Sequence, residues 1–122
     1  MPACPCGSGR AYAGCCGPLH AGTAAADAEA LMRSRYSAYV MGLADYLQAT
    51  WHATTRPIEF DLAGAPKWLG LAILRHQHTA PDHAVVEFVA RYKAGGRAGR
   101  LHEASRFVRE GGRWYYLDGE MK

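Results

Sequence analysis

All four cysteines of this chain lie ahead of residue 17: Cys4 and Cys6, then Cys15 and Cys16, with eight residues between the inner two. Thiolates in this density suit a zinc ion, which takes four N or S ligands in a tetrahedron with Zn–S near ~2.3 Å. The segment is too short to build a hydrophobic core. Convergence on one metal would fold it anyway, since apparent zinc affinities in comparable peptides run to about 10–16 kcal/mol at neutral pH. Four protein sulfurs leave no open position for water, so one zinc here is expected to be structural rather than hydrolytic. Four thiolates and Zn²⁺ sum to a net negative centre, for which Arg10 and backbone N–H groups are the natural outer partners. Gly7, Gly9, Gly14 and Gly17 give the backbone freedom to wrap the sulfurs, and Pro5 stiffens the first pair.

Two alternatives compete with the metal. A disulfide between the adjacent Cys15 and Cys16 closes a strained ring. A redox dithiol would favour C-x-x-C within a βαβ pattern, and neither is present. Gly7-Ser8-Gly9 lacks both the preceding strand and the G-K-[ST] ending of a phosphate loop.

A second set of polar residues, Glu87, Arg91, His102, Glu103, Ser105 and Arg106, falls on predicted strands. A carboxylate beside a histidine is a general acid–base pair, because histidine titrates near neutral pH. Such a set also makes cross-strand ion pairs on a solvated sheet face. The ion-pair reading is preferred, since nothing in the spacing fixes a nucleophile or a substrate site. His76, His78 and His83 are expected at an exposed strand end rather than at a second metal. His20 is a lone histidine whose one candidate role is support of the metal shell.

The elements that must position these groups are read from periodicity. Leu31, Met32, Tyr36, Tyr39 and Val40 recur at helical spacing, with Thr23 expected as N-cap and Gly42 as the stop. A shorter helix is expected to run to about Trp51. Residues 17–22 read as linker and 53–67 as loop, with a short strand expected at 58–60. Strands are expected over 68–76, 83–92, 100–110 and 113–118, separated by turns at 79–82 and 111–112 and a longer loop over 95–99. Short connections imply an antiparallel meander, and helices followed by strands imply an α+β fold. The domain division expected is 1–22 for the cysteine knuckle with its linker and 23–122 for the α+β domain.

Composition narrows the function classes. An apolar share of 49% over 122 residues suits one globular domain with an appendage. Fourteen basic against eleven acidic residues, a net charge of +3, make no strong nucleic-acid signature. No apolar run is long enough to span a membrane. Metal-bound thiolates imply a reducing compartment, hence an expected cytoplasmic location.

The knuckle resembles the SEC-C motif, the zinc-binding module at the C-terminal tail of the SecA translocation ATPase. Cys4, Cys6, Cys15 and Cys16 match its ligand positions, and Gly7, Ser8, Gly9, Tyr12 and Gly17 its other fixed ones. The chain as a whole resembles the YchJ-like family, which joins this motif to a cone-shaped domain similar to nuclear transport factor two. Leu31-Met32-Arg33-Ser34-Arg35-Tyr36, Asp45-Tyr46-Leu47, Trp68-Leu69-Gly70-Leu71 and Gly112-Arg113-Trp114-Tyr115-Tyr116 are among the segments that carry this likeness. The resemblance implies two helices packed on a curved antiparallel sheet of four to five strands, one structural zinc and a partner-docking role. It departs from the SecA type in having only Arg10 as a charged residue between the ligand pairs, so a SecA-like partner does not carry over. The leading expectation is therefore a zinc-binding adaptor that docks onto a protein partner, with enzymatic activity left open. A cone that binds or transforms a small molecule is the second reading, and weak ribosome or nucleic-acid association through Arg10, Arg97 and Arg100 the third.

Overall fold

Two glycine pairs set the geometry of the sheet. Gly95 and Gly96 have φ of 57° and 80°, and Gly111 and Gly112 have 57° and 78°. Positive φ at both central positions defines a two-residue turn whose twist matches that of the strands it joins. The computed structural model describes residues 3–122. In it β1 (Lys67–Ala80), β2 (His83–Ala94), β3 (Arg97–Glu110) and β4 (Arg113–Met121) form one antiparallel meander in the order β1-β2-β3-β4. The strands are longer than the sequence suggests. Residues 97–99, expected in a loop, pair with β2, because Gly95-Gly96 alone makes the turn. Pro81-Asp82 likewise suffices between β1 and β2. Residues 58–60 form no strand, and Ile58 is fully exposed.

Three helices lie ahead of the sheet: α1 (Cys16–His20), α2 (Ala28–Met41) and α3 (Ala44–Ala49). The expected linker at 17–22 is thus largely helical, with Pro18 in a first turn that tolerates a missing N–H. Asp27, not Thr23, caps α2: its side chain accepts from the Ala30 N–H at 2.8 Å. Glu29 follows in the first turn, where the helix dipole favours it. Gly42 ends α2 in the left-handed region at φ 75°, and its N–H returns to Ala38 O. No helix among the described residues is long and apolar enough to cross a membrane.

The core lies between α2 and the sheet. Ala84, Val86, Phe88 and Ala90 of β2 face α2, as do Phe107 of β3 and Trp114 of β4, and they pack with Ala28, Leu31, Met32 and Tyr36. The same buried cluster contains all four cysteines. Helix α2 is therefore covered on two sides, by the sheet and by the knuckle. That explains why it buries Ser34, Arg35 and Ser37 alongside its apolar residues. The exit of α3 is tied to β4, where His52 N donates to Tyr116 O at 2.7 Å and Tyr116 N to Thr50 O at 2.8 Å. Between Arg106 and Phe107 the pairing partner skips from Asp118 to Tyr116, a bulge that leaves Leu117 without a partner in the ladder.

The capping assignment has a direct test. Asp27→Ala removes the acceptor for Ala30 N–H and is expected to cost about 1 kcal/mol in chemical denaturation. Thr23→Ala, outside the helix, is expected to stay within about 0.5 kcal/mol of the parent.

Candidate metal centre

Backbone bonds first shape the knuckle. Ala3 and Ala11 bridge antiparallel, Cys4 N donates to Arg10 O at 2.9 Å, and Gly7 N donates to Cys4 O at 3.2 Å. A single 3-10 turn over Tyr12–Gly14 then delivers Cys15, whose N–H donates to Tyr12 O at 3.0 Å. Gly17 admits no side chain, because a Cβ there would lie 2.8 Å from Tyr12 O. The chain thus doubles back so that both cysteine pairs point inward.

The four sulfurs converge: their Sγ atoms all lie within 4.8 Å of one another, and all four cysteines are free and buried. A regular tetrahedron with metal–sulfur bonds near ~2.3 Å has sulfur–sulfur edges of about 3.8 Å. Cys6–Cys15 at 3.6 Å and Cys15–Cys16 at 4.0 Å bracket that edge. They are also far beyond an S–S bond, so the arrangement fits one ion and not a disulfide. Among the described residues this is the one group of three or more ligand side chains gathered closely enough for a metal. The histidines at 76, 78 and 83 form no such group. His76 lies 3.8 Å from Glu29, while His78 packs on Trp114.

The surroundings supply donors to sulfur. Ser8 Oγ lies 3.2 Å from Cys15 Sγ, and Arg10 Nη2 donates to the same sulfur at 3.7 Å. From α2, Ser37 Oγ donates to Cys16 Sγ at 3.3 Å and lies 3.5 Å from Cys4 Sγ. Arg33 of α2 donates to Cys6 O at 2.9 Å and pairs with Glu29. Arg10 and Arg33 place two positive charges around a centre that would carry about two negative ones. Crowded sulfurs do not titrate alike. The hydrogen bond with Cys16 draws the Cys6 thiol down to about 4, and the same bond, followed by burial, pushes Cys16 up. Burial also pushes Cys15 up. A cation among the sulfurs favours the thiolate at each of them.

His20 supports the knuckle without touching sulfur. Its Nε2 meets the Ser34 carbonyl at 2.8 Å and its Nδ1 the Tyr12 hydroxyl at 2.7 Å. A carbonyl can only accept, so Nε2 carries the proton and Nδ1 accepts from Tyr12. The imidazole thereby ties the knuckle to the backbone of α2. Sequence reading missed Ser37 and Arg33 as partners of the centre. The available signal was a run of polar and small residues, Arg33 to Ala38, inside a helix expected to face the core.

The sheet divides the second candidate set. Glu103 and Ser105 face α2 and line a cavity beneath it, with Ser105 Oγ donating to Glu103 Oε2. Glu87, Arg91, His102 and Arg106 lie on the opposite face, because side chains alternate along a strand. There His102 Nε2 bonds Glu87 Oε2 at 2.7 Å, which holds the Glu87 carboxyl below its usual range, and Arg75 lies 3.5 Å from the same group. Arg106 pairs with Asp118, and Arg91 lies over Gly70. The six residues do not meet in one pocket.

Comparison with known proteins agrees with this architecture. Residues 27–119 match the family model described as "YchJ, middle NTF2-like domain". A UPF0225 protein of Bordetella parapertussis is 57% identical over 124 residues, covering 98% of this chain and 93% of its own. One from Methylibium petroleiphilum is 61% identical over 122 residues, covering 97% and 88%. The solution structure of a SEC-C motif containing protein from Rhodopseudomonas palustris superposes with a TM-score of 0.87 at 39% identity, covering 96% of each chain. A crystal structure of a SEC-C motif containing protein from Psychrobacter arcticus gives 0.83 at 30% identity, covering 98% of this chain and 82% of that one. The chain belongs to the YchJ-like UPF0225 family, in which a SEC-C cysteine motif precedes a domain like nuclear transport factor two.

Proposed function

We propose that this protein is a binding module rather than an enzyme, with one structural zinc ion at Cys4, Cys6, Cys15 and Cys16. The observation that carries this reading is the closed, buried set of four sulfurs, with Cys6 wholly inaccessible. An all-sulfur tetrahedral set selects zinc over harder cations. Bound there, zinc would supply cohesion and no open coordination position. A reducing compartment such as the cytoplasm keeps the thiols available.

The surface built by this centre is the rim from 7 to 14, where Gly7, Gly9, Arg10, Ala13 and Gly14 are exposed. We assign docking of a protein partner to this rim, which carries exposed Arg10 and small residues on an ordered turn. A second reading, small-molecule binding, is favoured by the cavity under α2. The nucleic-acid reading has less to stand on. Arg75, Arg106 and Arg109 each pair with a carboxylate, which lowers the free positive charge that reading can draw on.

Elemental analysis of protein purified without chelator is expected to give about one zinc per chain. Cys6→Ser is expected to lose the metal and melt roughly ten degrees lower, a shift that corresponds to about 2–3 kcal/mol at this size. Full stability in metal-free wild-type protein would contradict a structural role. For docking, Ala13→Arg, at an exposed position that contributes no group to the sulfurs, is expected to abolish capture of the partner from lysate while zinc is retained. Undiminished capture by that variant would remove the rim from the account.

A further inference from the structure

The cavity between α2 and the sheet holds a charge that the protein itself does not pair. Arg35 is 3% exposed, and no carboxylate among the described residues lies within ion-pair distance of it. Its Nη1 donates to Leu47 O at 2.8 Å and Thr50 Oγ1 at 2.7 Å. Its guanidinium carbon lies 4.7 Å from the Tyr116 ring centroid and 5.2 Å from that of Trp51. Aromatic faces ease a buried cation only in part. The Tyr39 hydroxyl is a further hydrogen-bonding neighbour, and the guanidinium lines the cavity. Two more donors, the indole N–H groups of Trp51 and Trp68, are buried without partners, and both residues line the same space. Buried donors left unpaired are costly, and the cavity beside them has room for an acceptor.

The opposite wall supplies the complement. Glu103 reaches across Gly119, where a Cβ would collide with its carboxylate, and accepts from Ser105. One cation and one carboxylate thus face a single cavity of about 220 Å³. A ligand bearing net charge would leave one of these groups uncompensated in a poorly solvated space. A neutral ligand that offers an acceptor to Arg35 and a donor to Glu103 satisfies both. The walls between them include the rings of Tyr39, Trp51, Trp68 and Tyr116, which favour a planar ring. The volume admits one or two fused rings.

We propose that this cavity binds a small, flat, uncharged heteroaromatic molecule that presents a carbonyl-type acceptor beside an N–H donor, as a lactam does. The proposal rests on the small-molecule reading above and specifies its ligand class. The acceptor meets Arg35; the donor meets Glu103.

The test uses the full, metal-loaded protein and follows the indole N–H resonances of Trp51 and Trp68 by NMR. Three probes of similar size are titrated: quinolinone, its N-methyl derivative, and quinoline carboxylate. Quinolinone is expected to shift both resonances saturably, with the N-methyl and carboxylate probes at least tenfold weaker. Glu103→Leu is expected to weaken quinolinone at least tenfold with spectral dispersion and metal content intact. Arg35→Met is expected to do the same if it folds, and Glu103→Leu decides the matter if it does not. Tighter binding of the carboxylate, or equal binding of the N-methyl probe, would overturn the ligand class while leaving a small-molecule cavity. Absence of any saturable shift with all three probes would overturn the cavity reading as well.

Discussion

The mutual approach of four sulfurs against the buried hydroxyl of Ser37 is the constraint from which the rest of the molecule takes its form. Residues 3 to 15 contain no apolar side chain large enough to build a core beyond Tyr12. Their order comes from sulfur, from short backbone bonds, and from contact with α2. Since the cysteines belong to the same buried cluster as Leu31, Met32, Phe88 and Phe107, cohesion of the knuckle is cohesion of the fold. A metal that binds only the folded arrangement adds its binding free energy to stability.

Helix α2 carries the consequences. One side supplies Ser37 and Arg33 to the knuckle, and the other supplies Tyr36 and Arg35 to the space above the sheet. Such a helix cannot show a clean apolar stripe, because it has little solvated face to reserve for polar groups. Its buried hydroxyls find partners: Ser34 Oγ donates to Leu31 O at 2.7 Å and contacts the Tyr46 hydroxyl at 2.7 Å. Arg35 is the group whose needs the chain meets only in part.

The legible parts of the sequence were those governed by spacing and by turn chemistry. The cysteine intervals pointed to convergence of four sulfurs, which the structure bears out, because a tetrahedral ion tolerates few alternatives. Gly111-Gly112 announced its hairpin for an equally local reason. Less legible was anything depending on two covering layers. Arg33, Ser34, Arg35 and Ser37 look like the solvated side of a helix until the knuckle is laid over Arg33 and Ser37 and α3 against the other two. In β3, Leu101, Glu103, Ser105 and Phe107 alternate with His102, Ala104, Arg106 and Val108, and each set mixes polar with apolar. Only the cavity explains why the set containing Glu103 faces inward, since a tightly packed interior would reject its carboxylate.

X-ray absorption at the zinc edge of the protein as purified tests the central claim most directly. The account predicts a shell of four sulfurs at about 2.3 Å with no nitrogen or oxygen neighbour. A shell containing light-atom ligands, or cysteines found bridged to one another in reduced material, would contradict it.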